Sequence, residues 1–405
     1  MNETKKIRST KIAVLEWICG GGLLDVPPEQ IDGGLRAEGL AMLRTLVSAL
    51  AEEVEVMVPL DQRLVSAADL DSRAQVIDVS ISNFSAHTIA PHDLPPWAML
   101  VEQCDAAWLI APEIDSALPR SLDYLRACGH KLLNCHGEFL RQCSDKRLTA
   151  ECLSAAGIAH PPTRGLEQID QAWLNTTATK QSASEAAYWI VKPATGAGGT
   201  GQRLVTQQQL WQLVHSARPG SSSRTLAFQC AGEIVQPWME GRPASCSVIV
   251  DAHGKRHWLP LVSQDFVHPE AARQTQAHFD QTSPMDKSPP HYIGCTYPGN
   301  ERYSELPVEA PRKLLEDTLD ALGSGAFGPV GIDLLYQAST QSWTVIEVNA
   351  RCTSSLVGLA QAYRGKLVLD IFQLMSQADQ RQLADFSPLI NPFQFRIPRD
   401  KDGPA

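Results

Sequence analysis

The sequence holds no C-x-x-C pair, no histidines at zinc-ligand spacing and no apolar run near the ~18 residues that cross a bilayer. These absences leave no zinc framework, no dithiol motif and no membrane span, so no membrane partner is expected. Positive charge is also short. Lys and Arg number 35 against 45 Asp and Glu, a net charge of −10, so no basic stripe exists for a nucleic-acid backbone and nucleic acid is not expected as a partner. Gly and Pro, at 27 each, are too few for a collagen-like or low-complexity chain.

Ten cysteines are present, at 19, 104, 128, 135, 143, 152, 230, 246, 295 and 352, mostly in apolar surroundings. They read as reduced core thiols. His253 and His257 in "HGKRH" read as an exposed strand turn. The opening "MNETKKIRSTKIAVLEWICGGG" has only a short apolar run before its glycines, and the expected location is the cytoplasm. At 405 residues, with 43% hydrophobic and 20% charged residues, the chain is globular and long enough for two or three domains.

"KIAVLEW" is a short apolar strand. A glycine loop follows, then a helix with Leu40, Leu43, Leu46, Val47 and Leu50 at helical spacing, and then the strand "VEVMVPL". Strands "DAAWLIAPE" (105–113) and "HKLLNC" (130–135) flank the helix "LPRSLDYLRACG", with Gly129 at its C-cap. The alternation implies a parallel, doubly wound α/β domain ending near 135. "SDKRLTAECLSAAGI" opens a second segment as a helix capped by Ser144 or Asp145. Stretches 175–187 and 217–224 read as surface loops, "EIVQPW", "CSVIVD" and "KRHWLPLV" as strands, and 263–300 as a polar cover over a site. "GPVGIDLLYQ" and "SWTVIEVNA" are strands, with amphipathic helix before and after them, and the last thirty residues read as a surface tail.

In "YWIVKPATGAGGTGQRLV", Gly196, Gly198 and Gly201 have G-x-G-x-x-G spacing, and Gly199 adds a fourth glycine. A dinucleotide turn needs a helix starting on the glycines and an acid about twenty residues on. Here "QRLV" reads as a returning strand, and "VTQQQLWQLVHSARPG" has no acid. The pattern therefore suits a flap whose backbone N–H groups close over nucleotide phosphates, with Lys192 as a point charge. Glu347 and Asn349 are two apart on a strand and share a face. If Gln337 pairs with Trp343, Asp333 lies opposite Glu347, a hard-oxygen set suited to one or two Mg²⁺ ions. Arg351 continues that side as a candidate clamp for a carboxylate or phosphate. In "VQPWMEG", Gln236 is a candidate adenine acceptor, and Trp238 and Met239 are either adenine neighbours or core.

Lys146, then Lys192 with its flap, then a hinge strand, then Asp333 with Glu347-x-Asn349 is an order that resembles the ATP-grasp superfamily over roughly residues 10–375. "EWICGGG", "EGLAML", "LIAPEID", "SDKRLTAECLSAAGI" and "EVNARCTSSLVGL" look like its tyramine–glutamate ligase branch of methanofuran-type cofactor assembly. The resemblance implies an α/β ATP-grasp fold divided into a pre-ATP-grasp domain (10–135), a lid subdomain (136–235), an antiparallel metal and nucleotide subdomain (236–375) and a tail (376–405). It implies ATP with Mg²⁺ or Mn²⁺, two ions, as cofactors, and small-molecule carboxylate and amine substrates. ATP would lie against Lys146, Lys192, the flap glycines, Gln236, Trp238 and Met239. The metal would lie on Asp333, Glu347 and Asn349, with Lys192 and Arg351 acting in catalysis. The chain departs from many relatives at Gln236, where they carry glutamate, at Pro243, where a ribose-binding acid is frequent, and at Ala350, where a proline is frequent. Another ATP-grasp amino-acid or peptide ligase and a non-catalytic ATP-binding regulator are the rival readings. A homo-oligomer is compatible with the sequence.

Overall fold

The computed structural model describes residues 10–80, 97–178, 188–217, 232–267, 289–297, 311–363, 366–376 and 392–398. β1 (Lys11–Glu16) is buried along almost its whole length because it is the inner strand of a parallel sheet covered on both faces. The sheet order is β3 (Gln75–Asp78), β2 (Glu55–Leu60), β1, β4 (Ala106–Ile110). α1 (Gly33–Leu50) crosses from β1 to β2, capped by Asp32 and burying Met42, Leu43, Leu46, Val47 and Leu50. Successive strands run outward from β1 to β3, and the chain then returns to the opposite side of β1. The order thus reverses between β1 and β4, opening a crevice at their carboxyl ends, where Glu16 and the segment after Ile110 emerge.

The strand expected over 130–135 is reduced to a bridge between Ala107 and Leu132. Asn134 explains why. Its side-chain amide donates to the Leu109 carbonyl at 2.8 Å and accepts from the Leu109 N–H at 3.0 Å, taking both groups that a further ladder residue would need.

A second sheet is antiparallel, in the order β5 (Arg164–Gly165), β8 (Glu233–Pro237), β6 (Tyr188–Pro193), β7 (Arg203–Thr206). It packs its own small core of Leu166, Trp189, Val191, Leu210, Val214 and Val235. Helices span Gln171–Ala178 and Gln207–Ala217, so 175–178 and 217 of the expected loops are helical; 179–187 and 218–224 lie outside the described residues.

The third sheet has the order β14 (Ser342–Asn349), β13 (Gly328–Gln337), β9 (Arg242–Val250), β11 (Val262–Val267), β12 (His291–Tyr297), β15 (Phe393–Arg396), with β10 (Arg256–Trp258) also on β9. "KRHWLPLV" divides between β10 and β11, and Pro260 between them has no N–H for a ladder. Two further differences concern strands at the sheet's far edge. The polar stretch from 263 contains β12 and most of β11, and the expected surface tail contributes β15, which pairs with β12 and buries Phe395. Residues 268–288 and 298–300 of the expected cover lie outside the described residues. Two apolar clusters join the parallel sheet to this third sheet. Among the described residues, no helix is long and apolar enough to cross a membrane.

Candidate active site

The glycine segment is a loop between antiparallel strands, since β6 pairs with β7 from Tyr188↔Thr206 to Val191↔Arg203. No helix starts on the glycines. Gly198, Gly199 and Gly201 have φ of +62°, +74° and +74°, in the left-handed region where a side chain is strained. A Cβ on Gly198 would stand 2.5 Å from Leu35 Cδ2, so the flap tip rests against α1.

α5 (Lys146–Ala155) starts at this flap, with Asp145 capping it by accepting from Arg147 N and Leu148 N. Lys146 N–H donates to the Ala194 carbonyl at 2.9 Å, and Lys146 Nζ donates to the Gly196 carbonyl at 2.6 Å. The same Nζ lies 3.1 Å from Glu347 Oε1. Lys146 thereby links the flap to β14. Lys192, on β6, is buried, and burial lowers it to about 8. The Lys146 charge adds to that shift, while Glu347 and Asp333 oppose it.

On the facing strands, Asp333 pairs with Glu347, as the sequence register anticipates, by a different route. The turn pairs Gln337 with Ser342 and Tyr336 with Trp343, one residue short of the expected Gln337–Trp343 pairing. Leu334 then pairs with Val345 and Asp333 with Glu347, so Ile346 is the extra residue of a bulge that restores the expected partners. Val345 N–H turns instead to the Ala159 carbonyl at 2.9 Å. Burial, reinforced by the Glu347 charge, pushes Asp333 up to about 7. Burial acts on Glu347 as well, but Lys146 and Lys192 outweigh it and hold that carboxyl below its ordinary value. Gln264, from β11, donates to Asp333 Oδ1 at 3.0 Å, and Asn349 is buried at the end of β14.

Arg351 is already engaged. Its Nε and Nη2 donate to the two oxygens of Glu113, both at 3.0 Å, and Nη1 donates to the Cys352 carbonyl at 3.1 Å. Among the described residues three of its five N–H groups are thus used. Burial works against the Arg351 charge, and Glu113, Glu38 and Glu347 more than offset it, so the guanidinium is held more firmly protonated than usual.

Gln236 donates through Nε2 to Thr163 Oγ1 at 2.8 Å, which turns the amide oxygen to the other side. The residue lines a cleft with Lys146, Thr149, Pro161, Ile346 and Glu347, between α5, β8 and β14. Trp238 and Met239 follow β8, half-buried, and Trp238 N–H donates to the Tyr188 carbonyl at 2.9 Å.

A parallel α/β domain, an antiparallel lid with a glycine flap, and a sheet bearing paired acids thus meet around two lysines. Comparison with known proteins agrees. The ATP-grasp domain profile matches residues 143–355, and the pre ATP-grasp 3 domain profile matches residues 54–138. The chain belongs to the ATP-grasp family. It carries the ATP-grasp fold, with a pre-ATP-grasp domain before it. No curated protein sequence matches it. Among solved structures, it is similar to an ATP-grasp superfamily protein from Archaeoglobus fulgidus, with TM-score 0.57 and 18% identity over 97% of this chain and 100% of that one. D-alanine–D-alanine ligase from Bacillus anthracis has TM-score 0.52 and 14% identity, over 91% and 98% of the two chains. The biotin carboxylase domain of the Hydrogenobacter thermophilus 2-oxoglutarate carboxylase, solved with MgADP and bicarbonate, has TM-score 0.59 and 12% identity, over 94% and 72%. At these identities the likeness is one of fold.

Whether the ATP-grasp cleft suits a hard cation is decided by its donors. Among the described residues no three His, Cys, Asp or Glu side chains converge on one point. Asp333 and Glu347 do face each other, with Asn349 further along β14, and Asp333 resists ionising beside Glu347. Two carboxylates that repel without a cation, plus an amide oxygen, fit Mg²⁺ whose remaining ligands come from phosphate and water.

Sequence reasoning assigned no role to Glu38, Glu113 or Gln264. Glu113 had a readable signal, an acid just beyond an all-apolar strand at its carboxyl end. Gln264 had only its place in the stretch 263–300, read as a cover over a site, because its strand lacks alternation.

Proposed function

We propose that the protein joins a carboxylate to an amine with ATP, forming an amide through an acyl phosphate. The observation that carries this reading is the meeting of Lys146 and Lys192 with the Asp333–Glu347 pair beneath a glycine flap. A substrate carboxylate oxygen attacks the γ-phosphorus and ADP leaves. The amine nitrogen then attacks the acyl carbon, phosphate departs, and the amine gives up its proton. Lys146 and Lys192 neutralise phosphate oxygens, and a phosphate beside Lys192 favours the ammonium form that burial opposes. Mg²⁺ held by Asp333, Glu347 and Asn349 would supply charge stabilisation at the phosphates. Arg351 presents its remaining N–H groups to the acyl oxygen while Glu113 fixes its plane. The flap closes against α1 and keeps water from the acyl phosphate. Gln236, Trp238 and Met239 hold adenine.

The substrate pair is glutamate with tyramine, tyrosine or a related aromatic amine, supported by the likeness of "EWICGGG" and "EVNARCTSS" to the tyramine–glutamate ligase branch. Methanofuran-type cofactor assembly is the corresponding setting, and a reaction drawing on ATP and free glutamate belongs to the cytoplasm. ADP release should be slow with glutamate alone and rise with the correct amine, and mass spectrometry should show γ-glutamyl-tyramine or the tyrosine product. A product from another amino-acid pair would overturn the substrate assignment and leave the ligase reading. ATP binding without turnover on any pair would favour a regulator.

A further inference from the structure

A second cavity, open to solvent, lies where the strand order reverses, between the carboxyl ends of β1 and β4, α1 and the flap residues Ala197 and Gly198. Ligands of open parallel sheets bind in such crevices. The polar side chains on its wall are Glu16, Glu38 and Arg351. Arg351 bonds Glu113 behind the wall and also acts on the half-buried Glu38 carboxyl beside the Ser354 hydroxyl, so three acids, Glu16, Glu38 and Glu113, surround one base, and burial raises Glu38 above its ordinary value. Glu16 is turned toward its own loop, accepting from Cys19 N–H at 2.6 Å. The rest of the wall is apolar, chiefly Ile18, Leu35, Met42 and Pro112.

An excess of acid over base on an otherwise apolar wall favours a cation with an apolar body, and a ligand carrying its own carboxylate near that cation would be repelled. From this arrangement we infer that the cavity binds the nucleophilic amine, entering as a primary ammonium ion held by Glu38, with its apolar body on the Leu35–Met42 face. This rests on the cleft being an amide-forming ATP site. It selects, within the proposed substrates, an amine without an adjacent carboxylate.

The test is equilibrium calorimetry on the full chain with Mg²⁺ and a non-hydrolysable ATP analogue, so no turnover is required. The probes are tyramine, phenethylamine and hexylamine, the alcohol matching each, tyrosine and glutamate. Each amine should bind at least tenfold more tightly than its alcohol, and tyramine at least tenfold more tightly than tyrosine. Glu38→Gln should lose that advantage while binding the ATP analogue as the unmodified protein does. The comparison of amine with alcohol needs no variant and stands even if Glu38→Gln misfolds. Equal binding of amines and alcohols, or amine binding that ignores Glu38→Gln, would overturn the inference. So would a Glu38→Gln defect confined to glutamate, which would assign the cavity to the carboxylate substrate. Glu38-dependent amine binding without amide formation in the turnover assay would uphold this site and overturn the ligase reading.

Discussion

Glu16 shows how a site residue can cost the fold stability. Burial pushes its carboxyl up from 4.5 to about 7, against the pull of the Cys19 N–H. Between those values the folded chain keeps a proton that the unfolded chain has released, so Glu16 favours the fold fully below pH 4.5 and loses that contribution as pH rises through 7. Glu16→Gln keeps an oxygen for Cys19 and cannot ionise. It should melt above the unmodified protein at pH 8, with the gap closing toward pH 4.5; a gap independent of pH would show that Glu16 is not held protonated. Glu347→Gln removes the charge that pairs with Lys146 from a half-buried position on β14. It should lower turnover by roughly 100-fold or more with an unchanged circular dichroism spectrum. Near-normal ADP release would place the metal elsewhere. That Lys192 and Glu347 come close together was legible from the order of the motifs. Glu38 was not legible, since a single acid on an amphipathic helix looks like solvated surface.

Strands and turns were legible where apolar patterning was strong. β13 and β14 appear as expected because both alternate or run apolar toward a buried face. Their register was harder. The turn is one residue shorter than expected, and the bulge at Ile346 compensates, which no propensity announces. β11 and β12 were hidden for another reason. Ser263, Asp265 and Thr296 are buried there and satisfy one another, with Thr296 Oγ1 donating to Asp265 Oδ2 at 2.8 Å and Ser263 Oγ to the Thr296 carbonyl at 3.1 Å. Hydrogen-bonded polar residues facing inward erase the alternation that marks a strand. The flap carries the prediction at this scale. Gly198→Ala adds a Cβ 2.5 Å from Leu35 Cδ2 at a φ of +62°, which costs about 1–2 kcal/mol in backbone conformation alone. The flap should then seal poorly, and ADP release should outrun amide formation. One amide per ADP at the normal rate would show that flap closure does not protect the intermediate.

For the whole molecule, the decisive contacts cross between lid and body. Lys146 on α5 bonds the Gly196 carbonyl in the lid and pairs with Glu347 in the body, so a nucleotide between them should draw both parts together. Mg-ATP at 100 times its dissociation constant should stabilise the chain by about 2.7 kcal/mol, read as a raised melting temperature. NAD at the same concentration should give no shift, and a shift with NAD alone would contradict the flap reading. The general three-part plan was legible from the order of motifs, whereas the contribution of β15 to the third sheet depends on pairing distant in sequence, which local patterning does not carry.

The most direct test of the account follows the oxygen of the activated carboxylate. With glutamate labelled by ¹⁸O in its carboxyl groups, ATP, Mg²⁺ and the amine that supports turnover, the account predicts that each phosphate released with ADP carries one ¹⁸O, because the carboxylate oxygen that attacked phosphorus leaves with it. Amide formed alongside unlabelled phosphate, or alongside AMP in place of ADP, would contradict an acyl-phosphate route and with it the role assigned to the lysines, the paired acids and the flap.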